Sequence, residues 1–536
     1  MKITLAVCAL LLSECSALFA DPLARPLMLT AQVEGTDKAV TTALVKQVNF
    51  EGNTVFTDAQ LMGVIGSSLA ATADGLDGLR KLAAQVEAHY RENGYPNAKV
   101  IIPEQEVKAG AVTFQVVEPK LGEVTVTGNQ RYSEGVLRKA FRGIDHNGVL
   151  RVRALERKLL IVSDYPGLTA KASLQAGKAA GTTDVVINVE EAPKLTTAST
   201  EFNTFGSRQA SKERFVQKVA WRNLSGRGDE LSLGVVAAPN PGDLLYGQLH
   251  YTTPFGTNGT KIHLSGAGGN FEVGQEFAIL GIKGTGRSWG ASVSHPVLKR
   301  ADRTVSVEFG LESSDAELEL LGARSSYDKV RSLKAGVSVE DRDARTKTRN
   351  VGSLYLHRGL GDALGGMPDN APLSSRRGAD GRFTKLVLDY AHVKQVDDRT
   401  FVVAQVSGQL TDSPLVAGEQ FDVGGANSVR GYPQSELLGD SGLRISLELR
   451  RTSSLRSLPD WVQDLQVVAF LDHGRISNKN PVPGQPGEES LTGIGLGLRA
   501  ELTHDVSVRA DLGYGLSREP SSGGKLQPYL QVAHQY

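Results

Sequence analysis

The chain has 536 residues, of which 59 are lysine or arginine and 59 are aspartate or glutamate, so its formal net charge is zero. A balanced charge argues against a nucleic-acid-binding protein that works by bulk electrostatic attraction. Hydrophobic residues make up 40% of the chain, and no stretch beyond the N-terminus has the roughly 18 consecutive apolar residues that a transmembrane helix needs. A polytopic helical membrane protein is therefore excluded. A β-barrel is not, because its lipid-facing residues alternate with polar ones.

The first twenty residues have the features of a secretory signal peptide. The apolar segment Ile3–Leu12 is followed by small residues that offer a cleavage site. We therefore predict a signal peptide at residues 1–20 and a short extension at residues 21–43. Cys8 and Cys15 both lie within the signal peptide. The exported chain is thus expected to have no disulfide, reactive thiol or cysteine-bound metal.

An internal repeat organises the next part of the chain. Gly52-Asn53 recurs 76 residues later as Gly128-Asn129, and a strand-like segment precedes each copy. Apolar residues then recur at helical spacing and finally alternate with period two, which indicates two helices followed by two strands. The pattern predicts two small α+β modules with the order β-α-α-β-β. Their expected boundaries are residues 44–118 and 119–192.

From about residue 193 to the end, apolar and polar residues alternate with period two. Charges recur on the polar face too often for the core of a β-sandwich, whereas a barrel with lipid outside and water inside explains them. We predict an all-β transmembrane barrel of about 16 antiparallel strands at residues 193–536. Its last strand ends in the aromatic Tyr536, as outer-membrane barrels typically do. The positions expected to face the lipid include Leu231, Leu233, Val305 and Val307.

The sequence has no motif for nucleotide binding or for metal-dependent hydrolysis. There is no phosphate-binding loop and no His-Glu-x-x-His metal motif. The ten histidines are scattered along the chain rather than paired with nearby acids at metal-ligand spacing. We therefore predict no enzymatic activity, no cofactor and no bound metal, nucleotide or nucleic acid.

Two motifs in the barrel region stand out from its alternating pattern. The first lies in a long connection that we expect to fold inward near residues 424–440, and consists of Val429, Arg430, Gly431 and Tyr432. The second, at the end of the predicted strand Leu465–Leu471, consists of Phe470, Asp472 and Gly474. With these residues the chain resembles the superfamily of outer-membrane insertases and translocases. That superfamily carries Val-Arg-Gly-Tyr/Phe on an inward loop and Phe-x-Asp-x-Gly on a later strand.

The two modules narrow the resemblance to the two-partner secretion transporters, the haemolysin secretion/activation family. Each repeat is similar to a POTRA module, the polypeptide-transport-associated domain of these proteins. The residues of this chain that carry the similarity are Gly52, Asn53, Gly94, Tyr95, Pro103, Gln105, Gly128, Asn129, Glu156, Arg157, Pro166 and Gly167.

The resemblance implies an outer-membrane pore that secretes a large exported partner protein, such as an adhesin or haemolysin, without ATP. The modules would lie in the periplasm and bind the unfolded partner by β-augmentation, at the edges Lys99–Ile102 and Thr169–Leu174. Outer-membrane lipid would surround the barrel. A general outer-membrane insertase and a passive porin remain alternatives. Residues 21–43 are too few for the plug helix and linker usual in this family, so we expect the resting pore to be closed differently.

The periodicity also predicts a contact between the two barrel motifs. Phe470, Asp472 and Gly474 alternate with apolar residues and should therefore face the lumen. A guanidinium such as that of Arg430 can hold a carboxylate through two hydrogen bonds, and the missing Cβ of Gly431 would let the loop approach the wall. Gly474 is expected to leave room for the ring of Tyr432. The alternative is that Asp472 is simply solvated. By resemblance, the contact keeps the loop in its transport-competent position.

Overall fold

A computed structural model describes residues 45, 47–69, 75–106, 110–240, 242–453, 459–481, 484–503 and 505–536. The predicted signal peptide and the extension at 21–43 lie outside the described residues. The described chain divides into two compact units, one ending at Ala192 and the other starting at Pro193. Among the described residues, no helix is long and apolar enough to cross a membrane.

The first repeat folds into a three-stranded sheet with two helices. Its elements are β1 (Gln47–Glu51), α1 (Asp58–Leu69), α2 (Gly75–Glu92), β2 (Lys99–Ile101) and β3 (Ala111–Val117). The central strand β3 pairs with β1 in parallel and with β2 in antiparallel orientation. Helix α2 forms because apolar residues recur every three or four positions, and this stripe is buried against the sheet. The buried residues of α2 include Leu79, Leu82, Val86 and Tyr90.

The second repeat has the same order with one addition. Its elements are β4 (Lys120–Thr127), α3 (Glu134–Ala140), β5 (Asp145–His146), β6 (Val149–Leu150), α4 (Val152–Ser163), β7 (Leu168–Ala176) and β8 (Thr182–Glu191). The sheet order is β5-β6-β4-β8-β7. The two-residue strands β5 and β6 were not predicted, because strands this short show no alternation. They pair around a turn in which Asn147 and Gly148 both have positive φ.

The second unit is a closed antiparallel barrel. Its described strands, in chain order, are β9 (Thr196–Asn203), β10 (Arg214–Arg222), β11 (Glu230–Ala237), β12 (Leu244–Phe255), β13 (Thr260–Glu272), β14 (Lys283–Lys299), β15 (Arg303–Leu320), β16 (Ala323–Asp343), β17 (Thr348–Gly359), β18 (Thr384–Gln395), β19 (Thr400–Thr411), β20 (Phe421–Val423), β21 (Leu437–Gly439), β22 (Ser441–Thr452), β23 (Val462–Ser477), β24 (Glu488–Leu502), β25 (Val506–Gly515) and β26 (Leu526–Gln535). Strands β20 and β21 form a separate hairpin. The other sixteen described strands close the barrel where β26 pairs with β9. The prediction of about 16 antiparallel strands is confirmed.

The two faces of the barrel strands differ as the alternation predicted. On β11, Leu233 and Val235 are exposed on the outer surface, while the intervening Gly234 is buried. On β15, Phe309 continues the outward set of Val305 and Val307 and is 63% exposed. Charged residues of the other face point into the lumen, where Lys334 Nζ lies 3.1 Å from Glu308 Oε1 and 3.0 Å from Glu312 Oε1.

The connections differ in length between the two ends of the barrel. At the end where β9 starts and β26 finishes, most of the turns are short, as at 256–259 and 300–302. We call the opposite end the loop end. Its connections include the two longest, 360–383 and 412–440. The second of these contains the hairpin of β20 and β21.

Candidate functional site

The tip of the 412–440 connection lies inside the barrel, and we call this connection the inward loop. Val429, Arg430 and Tyr432 at its tip are 0%, 2% and 0% exposed. The wall motif lies within the long strand β23 rather than at its end, so the predicted strand end near Leu471 is wrong. The strand continues because the alternation persists through Ile476, which is also buried.

The structure brings Arg430 and Asp472 together in the predicted bidentate contact. Arg430 Nε donates to Asp472 Oδ2 at 2.7 Å, and Nη2 donates to Oδ1 at 2.8 Å. The main-chain N–H of Arg430 adds a third hydrogen bond to Oδ2, at 3.1 Å. Asp472 is 0% exposed, so the alternative of a solvated carboxylate is wrong. The ring of Phe470 stacks below the guanidinium, with its centroid 3.5 Å from Arg430 Cζ.

Further inward-facing groups complete a charge network around Arg430. Arg430 Nη1 donates to Glu448 Oε1 at 2.5 Å, and Ser446 Oγ donates to Asp472 Oδ1 at 2.6 Å. Asp511 Oδ2 lies 3.7 Å from Nη1. The sequence analysis did not assign Ser446 and Glu448 to this site. Alternation gives the face of a residue, whereas its partner depends on the register between strands.

The hydroxyl of Tyr529, on the last strand β26, holds the backbone of the loop tip. It accepts the N–H of Gly431 at 3.1 Å and donates to the carbonyl oxygen of Tyr432 at 2.6 Å. Gly431 has φ +99°, and a Cβ there would clash with the backbone at Tyr514 and Gly515. Glycine is therefore required both by the backbone conformation and by the close approach to the wall.

The expectation that Gly474 makes room for Tyr432 is wrong. A Cβ on Gly474 would meet the side chains of Val423 and Val429. The ring of Tyr432 instead lies against Gly515, and its hydroxyl accepts the N–H of Ser517 at 2.9 Å. The reason is the length of the inward loop: its tip reaches past β23 to β25 and β26, while its hairpin covers β23.

The repeated Gly-Asn residues of the modules build matching turns. A Cβ on Gly52 or Gly128 would clash with a carbonyl oxygen, that of Val116 in the first module and that of Val189 in the second. The Asn53 and Asn129 amides donate to the carbonyl oxygens of Phe56 and Tyr132, at 2.9 and 3.1 Å. These four residues therefore shape the turn.

An acidic residue caps each of these turns, which the sequence reasoning missed. Glu118 accepts the N–H groups of Thr54 and Val55, at 2.8 and 3.0 Å. Glu191 accepts N–H groups from Gln130, Arg131 and Tyr132, at 2.8 to 3.0 Å. Burial alone would raise the pKa of Glu191, but these three hydrogen bonds outweigh it and lower the pKa below its usual value.

Pro103 and Gln105 end the edge strand of the first module. The pairing of Ile101 with Gln115 places Pro103 opposite Thr113, and proline has no N–H to continue the ladder. The Gln105 amide replaces the missing strand, since it accepts the N–H of Thr113 at 2.7 Å and donates to its carbonyl oxygen at 2.8 Å.

The remaining module residues have mixed surroundings. The carbonyl oxygen of Gly94 accepts the N–H of Val152 at 3.0 Å, which joins the two repeats, and Tyr95 is buried. Glu156 is exposed on α4 and Arg157 is half-buried. The carbonyl oxygen of Pro166 accepts a hydrogen bond from the Tyr132 hydroxyl, and that of Gly167 accepts one from the Ala192 N–H, both at 2.7 Å.

Among the described residues, no group of three or more histidine, cysteine or acidic side chains could hold a metal ion.

The fold and the seated inward loop define a class of protein, the outer-membrane barrels preceded by POTRA modules. Residues 181–500 match the family described as haemolysin secretion/activation protein ShlB/FhaC/HecB, and residues 43–119 match its POTRA domain, ShlB type. The chain belongs to this family. It is therefore a two-partner secretion transporter of the outer membrane, with its N-terminal modules in the periplasm.

Individual relatives share modest sequence identity with this chain over most of its length. The heme/hemopexin transporter protein HuxB of Haemophilus influenzae is 24% identical over 471 residues, which cover 85% of this chain and 80% of HuxB. The outer membrane transporter CdiB of Dickeya dadantii is 21% identical over 387 residues, covering 69% of this chain and 65% of CdiB. The solved structure of CdiB from Escherichia coli has a similar fold, with a TM-score of 0.77 at 19% identity over 92% of this chain and 90% of CdiB.

Proposed function

We propose that both repeats, at residues 44–118 and 119–192, act as POTRA modules that bind an extended segment of the unfolded partner protein. The barrel then passes the partner to the cell exterior, where its folding drives transport without nucleotide. The proposal gives the chain no catalytic step and no nucleic acid, and it places outer-membrane lipid against the apolar outer face. Because the periplasmic modules precede β9 in the chain, the loop end faces the exterior. Family membership favours this transporter over a general insertase or a passive porin.

The two expected docking edges differ in how open they are. Strand β2 of the first module has three residues, and its outward N–H, on Val100, is already bonded to Glu87 Oε1 at 3.0 Å. Pro103 and Gln105 close the rest of that side. Edge strands are commonly protected against further pairing in this way. An incoming segment would have to displace Glu87 or Gln105 before it could pair with the first module.

Strand β7 of the second module is the more open edge, and this observation carries the proposal. It has nine residues, and Ala170, whose N–H donates to Ser163 Oγ at 3.1 Å, faces away from β8. Every second residue faces the same way, so the N–H groups of Ala172 and Leu174 do too. Within the described part of the chain, these two N–H groups have no hydrogen-bond partner. A strand added to β7 would satisfy them.

Proline substitutions test the docking edge in the full-length chain. Ala172→Pro removes an outward N–H of β7 without affecting a bond to β8, so the module stays folded. The binding probe is the urea-unfolded N-terminal segment of the large exported partner protein, and calorimetry measures its binding. We expect Ala172→Pro to weaken binding about tenfold or more, the effect of losing roughly 1.4 kcal/mol. The matched change Val100→Pro on β2 should leave binding unchanged.

The outcomes distinguish a failure of the proposed function from a wrong choice of docking strand. Binding that is absent with the unaltered chain would contradict recognition by the modules as a whole. Binding that survives Ala172→Pro but disappears with Val100→Pro would instead move the docking site to the first module.

A further inference from the structure

The inner wall of the barrel changes from charged to apolar near the loop end. Along β15 and β16 the inward side chains are charged, as in the contacts of Lys334 with Glu308 and Glu312. Near the loop end, the inward residues on or next to β10–β15 are apolar and buried together. They include Val216, Val236, Leu244, Phe271, Ile282 and Leu318. Such residues would face water in an open lumen, so their burial requires a cover.

Three consecutive residues of the inward loop are buried at this apolar layer and beside it. Leu415, Val416 and Ala417 are 0%, 1% and 1% exposed. Ala417 belongs to the cluster formed by β10–β15, whereas Leu415 and Val416 pack with Val330 of β16 and with the 360–383 connection. We call Leu415, Val416 and Ala417 the apolar stopper. Through Ala417 it joins the apolar cluster at β10–β15, and through Leu415 and Val416 it joins the cluster at Val330.

A buried ion pair between two loops holds the stopper in place. Asp440, 0% exposed, accepts the N–H of Leu415 at 2.9 Å and forms an ion pair with Arg376 of the 360–383 connection. Both side chains also bind the backbone of Lys479, where Arg376 donates to the carbonyl oxygen at 2.8 Å and Asp440 accepts the N–H at 2.6 Å. We call the Arg376–Asp440 pair the latch. It joins three loop-end connections to the stopper.

We propose that the apolar stopper closes the loop end of the pore between transport events, and that the latch keeps it closed. An apolar constriction blocks ions because water leaves it, whereas the charged wall below stays hydrated. The buried charges of the latch stabilise one position only, because separating them would leave an unpaired charge in the interior. The outgoing partner chain would displace the stopper. The inference goes beyond recognition by the modules and depends only on the barrel being a pore.

Single-channel recording in planar lipid bilayers tests the closure with the full-length chain. We expect Asp440→Asn and Arg376→Ala each to raise the open probability at least tenfold. Replacing all three stopper residues by serine should raise it similarly. The matched control is Arg382→Ala, which removes an exposed arginine of the same connection, 3.7 Å from Asp362 and from Asp369. This control should behave like the unaltered chain.

An engineered disulfide tests the closure independently, in case a latch variant fails to assemble. Ser375 Oγ accepts the N–H of Ala417 at 2.9 Å, so cysteines introduced at these two positions lie close together. Oxidation should keep the channel from opening and block secretion of the partner. A reductant should restore channel opening and secretion. Channels that stay as closed as the unaltered one in all three latch and stopper variants would overturn the proposal. Undiminished secretion by the oxidised pair would do so as well.

Discussion

Arg430 is held by a network of charges rather than by a single partner. Glu448, Asp472 and Asp511 lie 2.5, 2.7 and 3.7 Å from its guanidinium. Three further arginines bind Glu448 or Asp511 and share the negative charge: Arg450, Arg499 and Arg509. Asp472 is buried, and its other donors, the Ser446 hydroxyl and the Arg430 main-chain N–H, are neutral, so removing the guanidinium leaves its charge unpaired, which typically costs about 3–5 kcal/mol.

The network predicts that Arg430 and Asp472 are energetically coupled. Arg430→Ala and Asp472→Ala should each reduce secretion of the partner by a similar factor, and the double variant should be little worse than either, because both changes remove the same contact. Barrel assembly, measured by heat-dependent mobility in gels, should be unaffected. The matched control is Arg475→Ala. Arg475 lies on the same strand as Asp472, and the change breaks its exposed ion pair with Glu488 on the next strand. Fully additive secretion defects would contradict the coupling.

Removing the hydroxyl of Tyr529 tests whether it holds the tip of the inward loop against the barrel wall. Tyr529→Phe removes the hydroxyl that binds both Gly431 and Tyr432 and keeps the ring, so secretion should fall about three- to tenfold, as expected for the loss of about 1 kcal/mol. The control Tyr355→Phe removes another lumen hydroxyl, which donates to Glu308 at 2.8 Å, and should secrete normally. Protease sensitivity of the inward loop should rise only with Tyr529→Phe. Equal secretion by both variants would show that the hydroxyl does not seat the loop.

At the scale of elements, each module contains the same turn, and a carboxylate that is distant in sequence accepts the N–H groups of that turn. The turns of Gly52-Asn53 and Gly128-Asn129 use local residues, so the repeat in the sequence predicted them. Their caps, Glu118 and Glu191, come from the ends of the last strands. Each cap lies about 60 residues from its turn, so local patterning gave no signal for it.

The low pKa of Glu191 predicts acid sensitivity in the second module. A carboxyl group whose pKa is lower in the folded state stabilises the fold above its unfolded pKa, and this contribution is lost as the pH falls through the folded pKa. Hydrogen exchange of the full-length chain should therefore show the turn at Gly128 opening more often as the pH drops below about 4.5. Glu191→Gln should show the opening already at pH 7 and little further change in acid. The neighbouring Glu190→Gln, which affects an exposed ion pair with Lys171, should behave like the unaltered chain.

At the scale of the whole molecule, the sequence predicted what depends on periodicity. Alternation predicted the sixteen strands and their two faces, and helical spacing predicted α2 and α4. The sequence also predicted the pairing of Arg430 with Asp472, because both motifs were short and chemically complementary. It did not predict that Tyr529 or Glu448 would join them, since these partners depend on how far the loop reaches and on strand register. The apolar stopper was missed because Leu415 and Val416 lie in a connection, where the sequence shows no periodicity.

The barrel faces are tested by placing one charge on either side of a single strand. Leu233 of β11 is exposed on the outer surface, and its neighbour Ser232 faces the lumen. Leu233→Arg should destabilise the barrel by about 2–4 kcal/mol, because a charge at mid-membrane depth on the lipid face must leave water. Ser232→Arg should cost far less, since the lumen is hydrated. Unfolding in urea from lipid vesicles, followed by tryptophan fluorescence, measures both. Equal destabilisation by the two changes would mean that the outward and inward faces are wrongly assigned.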